Sequence, residues 1–216
     1  MTIASTLRVL GLGAALVAIS LTGAAQAAPA PILPVSYDTT TNVNEWKDDS
    51  YSGTVSGFVL SGGLGDLTDG IIASGGFTPS GGVDPYVAWI DVQPSILFDF
   101  GANVRLSSVT LYYDDNNGGN NVNVPHQFSL TPTGGATLTQ TVINNLASGV
   151  PNSTTLSLGA GLVGQTFTLD IIGSDRFVFI SEVAFVGAAV PLPAGLPMLV
   201  MGLGALGLMK RRRKTA

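Results

Sequence analysis

Val104-Arg105-Leu106-Ser107-Ser108-Val109-Thr110-Leu111-Tyr112-Tyr113 is the stretch whose pattern decides the fold of this chain. Val109 and Leu111 fall on one face and Ser108 and Thr110 on the other, the period of two that a half-buried strand requires. Outward from it, similar short runs rich in β-branched and aromatic residues recur at 86–91, 95–100, 127–131, 138–143, 166–172, 177–180 and 182–186, each bounded by Gly, Asn, Asp or Pro. Helical periodicity is hard to find between residues 35 and 187. Many short strands with turn punctuation predict an all-β, antiparallel sandwich over 35–186. Longer punctuation at 61–65, 75–83 and 114–124 predicts loops at its ends, where binding sites usually lie.

Charge is segregated along the 216 residues. Arg8 and five cations at the far end account for six of the nine Lys and Arg, so the remainder holds three cations against all 14 acids. A nucleic-acid partner would need the opposite sign. Cysteine is absent, so a domain of this size must hold together through its core, with or without a metal, rather than through disulfides.

Both ends carry targeting patterns. Residues 1–27 have Arg8 as their only charge, an apolar stretch at 9–21 and the small-x-small sequence Ala25-Gln26-Ala27, which predicts a signal peptide cleaved before Ala28. The apolar run is shorter than the roughly 18 residues a spanning helix needs. Residues 28–34, rich in Pro and Ala, read as a leader. At the other end, 188–209 is free of charge and is followed by Lys210, Arg211, Arg212, Arg213 and Lys214. This predicts a linker at 187–195, a single transmembrane helix at 196–209 and a basic cytoplasmic tail at 210–216. Gly202-Leu203-Gly204-Ala205-Leu206-Gly207 matches a dinucleotide fingerprint in letters only, because the chain ends nine residues later. Its small residues suit helix packing in a membrane.

Val190-Pro191-Leu192-Pro193-Ala194, with the glycine-rich apolar stretch and the arginine cluster behind it, resembles the PEP-CTERM class of sorting signals in its VPLPA variant, over about the last 27 residues. The resemblance implies processing by an exosortase-type protease or transpeptidase, transient anchoring in the inner membrane and a final place at the surface or outside a Gram-negative cell that makes exopolysaccharide. Leu192 stands where the commoner signal has Glu.

A second resemblance runs through Leu67-Thr68-Asp69-Gly70, Trp89, Ile96-Leu97-Phe98-Asp99-Phe100-Gly101, the 104–113 strand and Arg176-Phe177-Val178-Phe179-Ile180-Ser181-Glu182-Val183. In this order the segments are similar to the galactose-binding-like jelly rolls of the discoidin and F5/8 type C group. The resemblance implies a jelly-roll sandwich and a structural calcium where the Asp-Gly loop meets the last strand. Its ligands would be Asp69 and Glu182, with Asp66 as a neighbour. Calcium needs several hard oxygen donors on a loop that glycine lets fold back. The plain alternative is an Asp69 that caps its own turn and a Glu182 facing solvent.

Residues 114–121 look like half of a calcium loop, but the twelfth position is Pro125 where an EF-hand has Glu, so a polar hairpin loop is the ordinary reading. If the domain holds a sugar, Tyr113, Asp114, Asp115 and Asn117 would form a rim; Trp46, beside Glu45, Lys47 and Asp48, is the tryptophan expected to be accessible to a ligand and Trp89 the one in the core. His126, the single histidine, lies near no nucleophile elbow, and adjacent Asp48 and Asp49 do not face one cleft by sequence alone. The expected function is therefore non-enzymatic: an exported surface or matrix protein binding carbohydrate or another polymer. The alternative is a structural, calcium-stabilised coat protein, and a hydrolase ranks third.

Overall fold

The structure, a computed structural model, describes residues 27–41, 43, 48–77, 85–142, 151–173 and 175–191. It is all-β, with antiparallel ladders throughout: β1 (Ala30–Ile32), β2 (Ser36–Thr39), a β3 (Thr54–Ser56)–β4 (Val59–Ser61) hairpin, β5 (Val87–Ile90), β6 (Ser95–Tyr113), β7 (Pro125–Pro132), β8 (Leu138–Thr141), β9 (Asn152–Gly173) and β10 (Phe177–Ala189). Among the described residues the one helical turn is a 3₁₀ segment at Gly119–Asn121.

Two long strands organise the rest. β6 and β9 pair from Ser95↔Asp170 to Tyr113↔Asn152, and each serves both layers. The first part of β6 lies between β2 and the second part of β9, which passes on to β7 and β8. The second part of β6 pairs with β10, which carries β1 and β5. The layers face each other through aromatic rings. Phe185 of β10 meets Phe98 at 4.9 Å and Phe100 at 5.3 Å, and Phe100 meets Phe167 at 5.7 Å, all T-shaped. Such edge-to-face pairs add about 0.5–1.5 kcal/mol each beyond the area they bury.

Bulges decide which side chains enter the core. Along β6 the buried set runs Ile96, Phe98, Phe100, Val104 and Leu106, then changes parity to Val109, Leu111 and Tyr113. The register with β9 slips between Leu106 and Ser108, and the extra residue turns the strand over by one step. β10 repeats the device. Val178 and Ile180 face the main core, a register shift falls between Ile180 and Glu182, and Val183 and Phe185 continue the core. Behind β5 and β10 a smaller cluster of Ala73, Tyr86, Ala88, Val122 and Phe179 is capped by Phe77, stacked 4.1 Å from Phe179.

Several sequence expectations change here. Residues 95–100 and 104–113 form one strand, as do 177–180 and 182–186, and the 166–172 run is only the second part of β9. The leader expected at 28–34 contributes β1, whose Ala30, Pro31 and Ile32 pair with Gly187, Val186 and Phe185. The linker expected from 187 begins later, because β10 runs through Ala189 and the Val190 N–H still donates to Asn103 O at 3.0 Å. The signal peptide and the 196–209 helix lie outside the described residues. No helix among the described residues is long and apolar enough to cross a membrane.

Candidate functional site

The bulge in β10 places two consecutive buried residues, Ser181 and Glu182, beside the segment that carries the Asp-Gly turn. Two bonds fix that meeting. Val183 N–H donates to Leu67 O at 2.9 Å, and Gly70 N–H donates to Glu182 Oε2 at 3.2 Å. Gly70 sits at φ 81°, where a side chain would strain the backbone and where glycine turns the loop onto the strand at no such cost. Asp69 is exposed, and its Oδ1 accepts the N–H of Ile71 at 2.8 Å, an Asx turn. Glu182, by contrast, is 3 % exposed, so the alternative in which it faces solvent does not hold. Burial pushes its carboxyl up to about 7, the Asp69 charge adds to the rise, and the Gly70 N–H opposes it.

Asp69 and Glu182 thus stand within electrostatic reach of each other on a glycine turn, and among the described residues no cation acts on Glu182. Two carboxylates would neutralise one Ca²⁺, and the turn's carbonyl groups are hard donors of the right kind. No three His, Cys, Asp or Glu side chains among the described residues converge as a metal-holding group, so any such site would lean on backbone and water oxygens. Asp66 is engaged elsewhere: its Oδ1 lies 2.6 Å from the Ser50 hydroxyl.

The expected sugar rim is corrected by burial. Tyr113 is fully buried because the β6 bulge gives it core parity, and its hydroxyl shares a 2.7 Å hydrogen bond with Thr154 Oγ1. Asp114 and Asp115 are 1 % and 0 % exposed. Asp114 Oδ2 accepts Phe77 N–H at 2.9 Å, holding the cap of the smaller cluster, while Asp115 Oδ1 accepts Asn117 N–H at 2.8 Å and shapes the following turn. Of the four, Asn117 alone is exposed. Trp46 lies outside the described residues. Trp89 is wholly buried in the core and His126 is exposed.

Asp48 and Asp49 point apart, the first 2 % exposed and the second open to solvent, so they share no cleft. Asp48 is instead a structural centre not expected from the sequence: it accepts the hydroxyl of Tyr37 and the backbone N–H of Ser50, the latter at 3.1 Å. Only the Asp-Asp-Ser order, an acid two residues before a backbone donor, hints at part of this. Val190 and Pro191 line, with Arg105 and Ala189, a hollow of about 30 Å³, room for a water or two and not for a sugar ring. Leu192, Pro193, Ala194 and the cluster Lys210, Arg211, Arg212, Arg213 and Lys214 lie outside the described residues.

No family model matches the sequence, and no curated protein matches it. Among solved structures, the chain is similar to the family 32 carbohydrate-binding module of Clostridium perfringens NanJ in complex with galactose (13 % identity, 74 % of this chain and 99 % of that one, TM-score 0.47). It is also similar to the C-terminal domain of a Bacteroides fragilis chitobiase (16 %, 75 % and 100 %, TM-score 0.42). A truncated AlyQ with CBM32 and alginate lyase domains aligns at 13 % identity and TM-score 0.43, the match covering 77 % of this chain and 35 % of that one. Likeness at this level does not extend to a ligand or a reaction.

Proposed function

We propose that this chain is an exported, non-enzymatic surface or matrix protein whose jelly-roll sandwich binds an extracellular carbohydrate or related polymer, with calcium as a structural ion at Asp69 and Glu182. The observation that carries the reading is the contact between two segments 112 residues apart. Gly70 of the Asp-Gly turn bonds Glu182 of the last strand, the pairing that the resemblance to galactose-binding-like domains implies. Export is supported by where the folded unit starts and stops. β1 opens two residues after the expected mature start at Ala28, and β10 runs directly into Val190 of the sorting motif. An exosortase-type enzyme would then act beside a folded domain, with the inner membrane as a transient partner.

A glycan array and a pull-down with the native cell's own exopolysaccharide, using the exported protein with calcium present, test the binding. Retention of one polymer class, lost on competition with its free fragments, is the expected result. No retention on the array or on that polysaccharide overturns it.

One observation favours a second reading, a coat or biofilm component without a specific ligand. Tyr113, Asp114 and Asp115, which would have made a recognition rim, are buried and serve the fold. A large calcium-dependent rise in melting temperature without glycan retention is the outcome that belongs to it.

A further inference from the structure

The hydroxyl of Ser50 lies 2.9 Å from Asp48 Oδ1 and 2.6 Å from Asp66 Oδ1. A serine hydroxyl has one proton, so it can donate to one of these carboxyls and must accept from the other. Asp48 is the better placed acceptor: the Tyr37 hydroxyl donates to its Oδ2, Ser50 N–H to its Oδ1 and the Asp66 backbone also bonds it. The complete network then reads Asp66 carboxyl to Ser50 hydroxyl to Asp48 carboxylate, and it needs a proton on Asp66.

We propose that Asp48, Ser50 and Asp66 form a proton-sharing latch that fastens the 48–66 segment in mildly acidic surroundings and loosens it as the pH rises. The loop that the latch holds is the one that leads into the Asp69–Gly70 turn. Gly65 packs directly on the Asp48 carboxyl, where a side chain would collide with both oxygens, and Thr68 N–H donates to Gly65 O at 2.9 Å. Among the described residues the neighbours offer no alternative counter-charge. Asp49 and Asp69 act on Asp66, Asp66 acts on Asp48, and Asp38 and Asp48 act on Tyr51, whose hydroxyl donates to Tyr37 O. Among the described residues, every charge acting on the pair is negative. Burial, the largest cause, raises the carboxyls of both Asp48 and Asp66. Two ionised groups on one hydroxyl would repel, and the second proton therefore leaves as a property of the pair.

The test is carboxyl-carbon NMR of the whole exported protein labelled with ¹³C at aspartate alone, which leaves Glu182 silent. The Asp48 and Asp66 resonances, assigned through the backbone, are followed from pH 4 to 8 without calcium. The expected result is that both move together through one shared step above the usual carboxylate range, each by a fraction of the full ionisation shift. Two independent titrations complete below pH 5 overturn the latch, and this measurement needs no variant. As a second arm, Asp66→Asn supplies a permanent donor to Ser50. It is expected to lose part of the fall in melting temperature that the parent shows between pH 5 and 7, and equal falls in both proteins count against the proposal.

Discussion

Glu182 ties the stability of the fold to pH. Its carboxyl is raised from 4.5 to about 7 by burial, so the folded state binds a proton that the unfolded chain has released. Stability from this group is complete below pH about 4.5 and is lost as the pH rises through 7. In chelator, the melting temperature is expected to fall from pH 5 to 8 by about 2–8 °C, the equivalent of about 1–2 kcal/mol. Calcium at pH 8 is expected to restore it, taking the place of the proton. Glu182→Gln should reduce the fall and abolish the calcium response in the same calorimetric scans; a variant that still responds to calcium would place the ion elsewhere. Glu182 was legible in the sequence because Ile180-Ser181-Glu182-Val183 reads as a motif. Asp48 was not. Its burial depends on Tyr37, eleven residues before it, and on Gly65, seventeen after, and no local pattern announces either.

Among the elements, the β3–β4 hairpin is anchored in the core by Leu60 of β4, while all of β3 is exposed and is held through its backbone pairing with β4. Gly63 N–H donates to the Tyr51 hydroxyl at 2.8 Å, Gly63 O accepts from Tyr37 N–H at 2.8 Å, and a side chain at Gly63 would strike the backbone of Gly53. Gly63→Ala is therefore expected to cost about 1–3 kcal/mol, read as a lower urea midpoint at unchanged slope. Val55→Ala, on the exposed strand of the same hairpin, should change that midpoint by at most about 0.5 kcal/mol.

The same scale shows what alternation can and cannot reveal. β6 was readable because its buried and exposed positions differ in kind, Val109 and Leu111 against Ser108 and Thr110. The first part of β9 was not: across 152–164 only Leu156 and Leu158 are buried, and Gly159 and Gly161 take positive φ within the strand. Its strand state comes from the ladder with β6, a partner some fifty residues away, rather than from its own composition. β1 was hidden by Pro29, Pro31 and Pro34, which read as an unstructured leader. Pro31 is tolerated because β1 pairs with β10 alone, and a missing donor matters little at a sheet edge.

At the scale of the whole molecule, the folded unit fills the chain between the two segments expected to target it, from Ala30 to Ala189. Mass spectrometry of the termini of the native protein, with its cell fraction recorded, is expected to find Ala28 at the start and no Lys210–Lys214 tail at the end. An intact basic tail on the mature form would speak for a plain membrane anchor. The acidic surplus of the middle segment also predicts a protein that stays soluble once released and repels nucleic acid and anionic lipid alike.

The antiparallel pairing of Ala30 with Gly187 leaves both ends of the domain side by side. That arrangement has a mechanical meaning. A pull that separates the two ends peels β1 from β10 one hydrogen bond at a time, the weakest way to load a ladder whose bonds lie perpendicular to the strands. A pull between the C-terminal end and the Asp69–Gly70 loop runs along β10 instead, and it meets the paired length from Ile180 to Ala189 in shear, with all its bonds sharing the load at once. A protein tethered at 190 and gripped at its far loops would thus yield late and abruptly, while the same protein stretched by its two ends would open early and gradually.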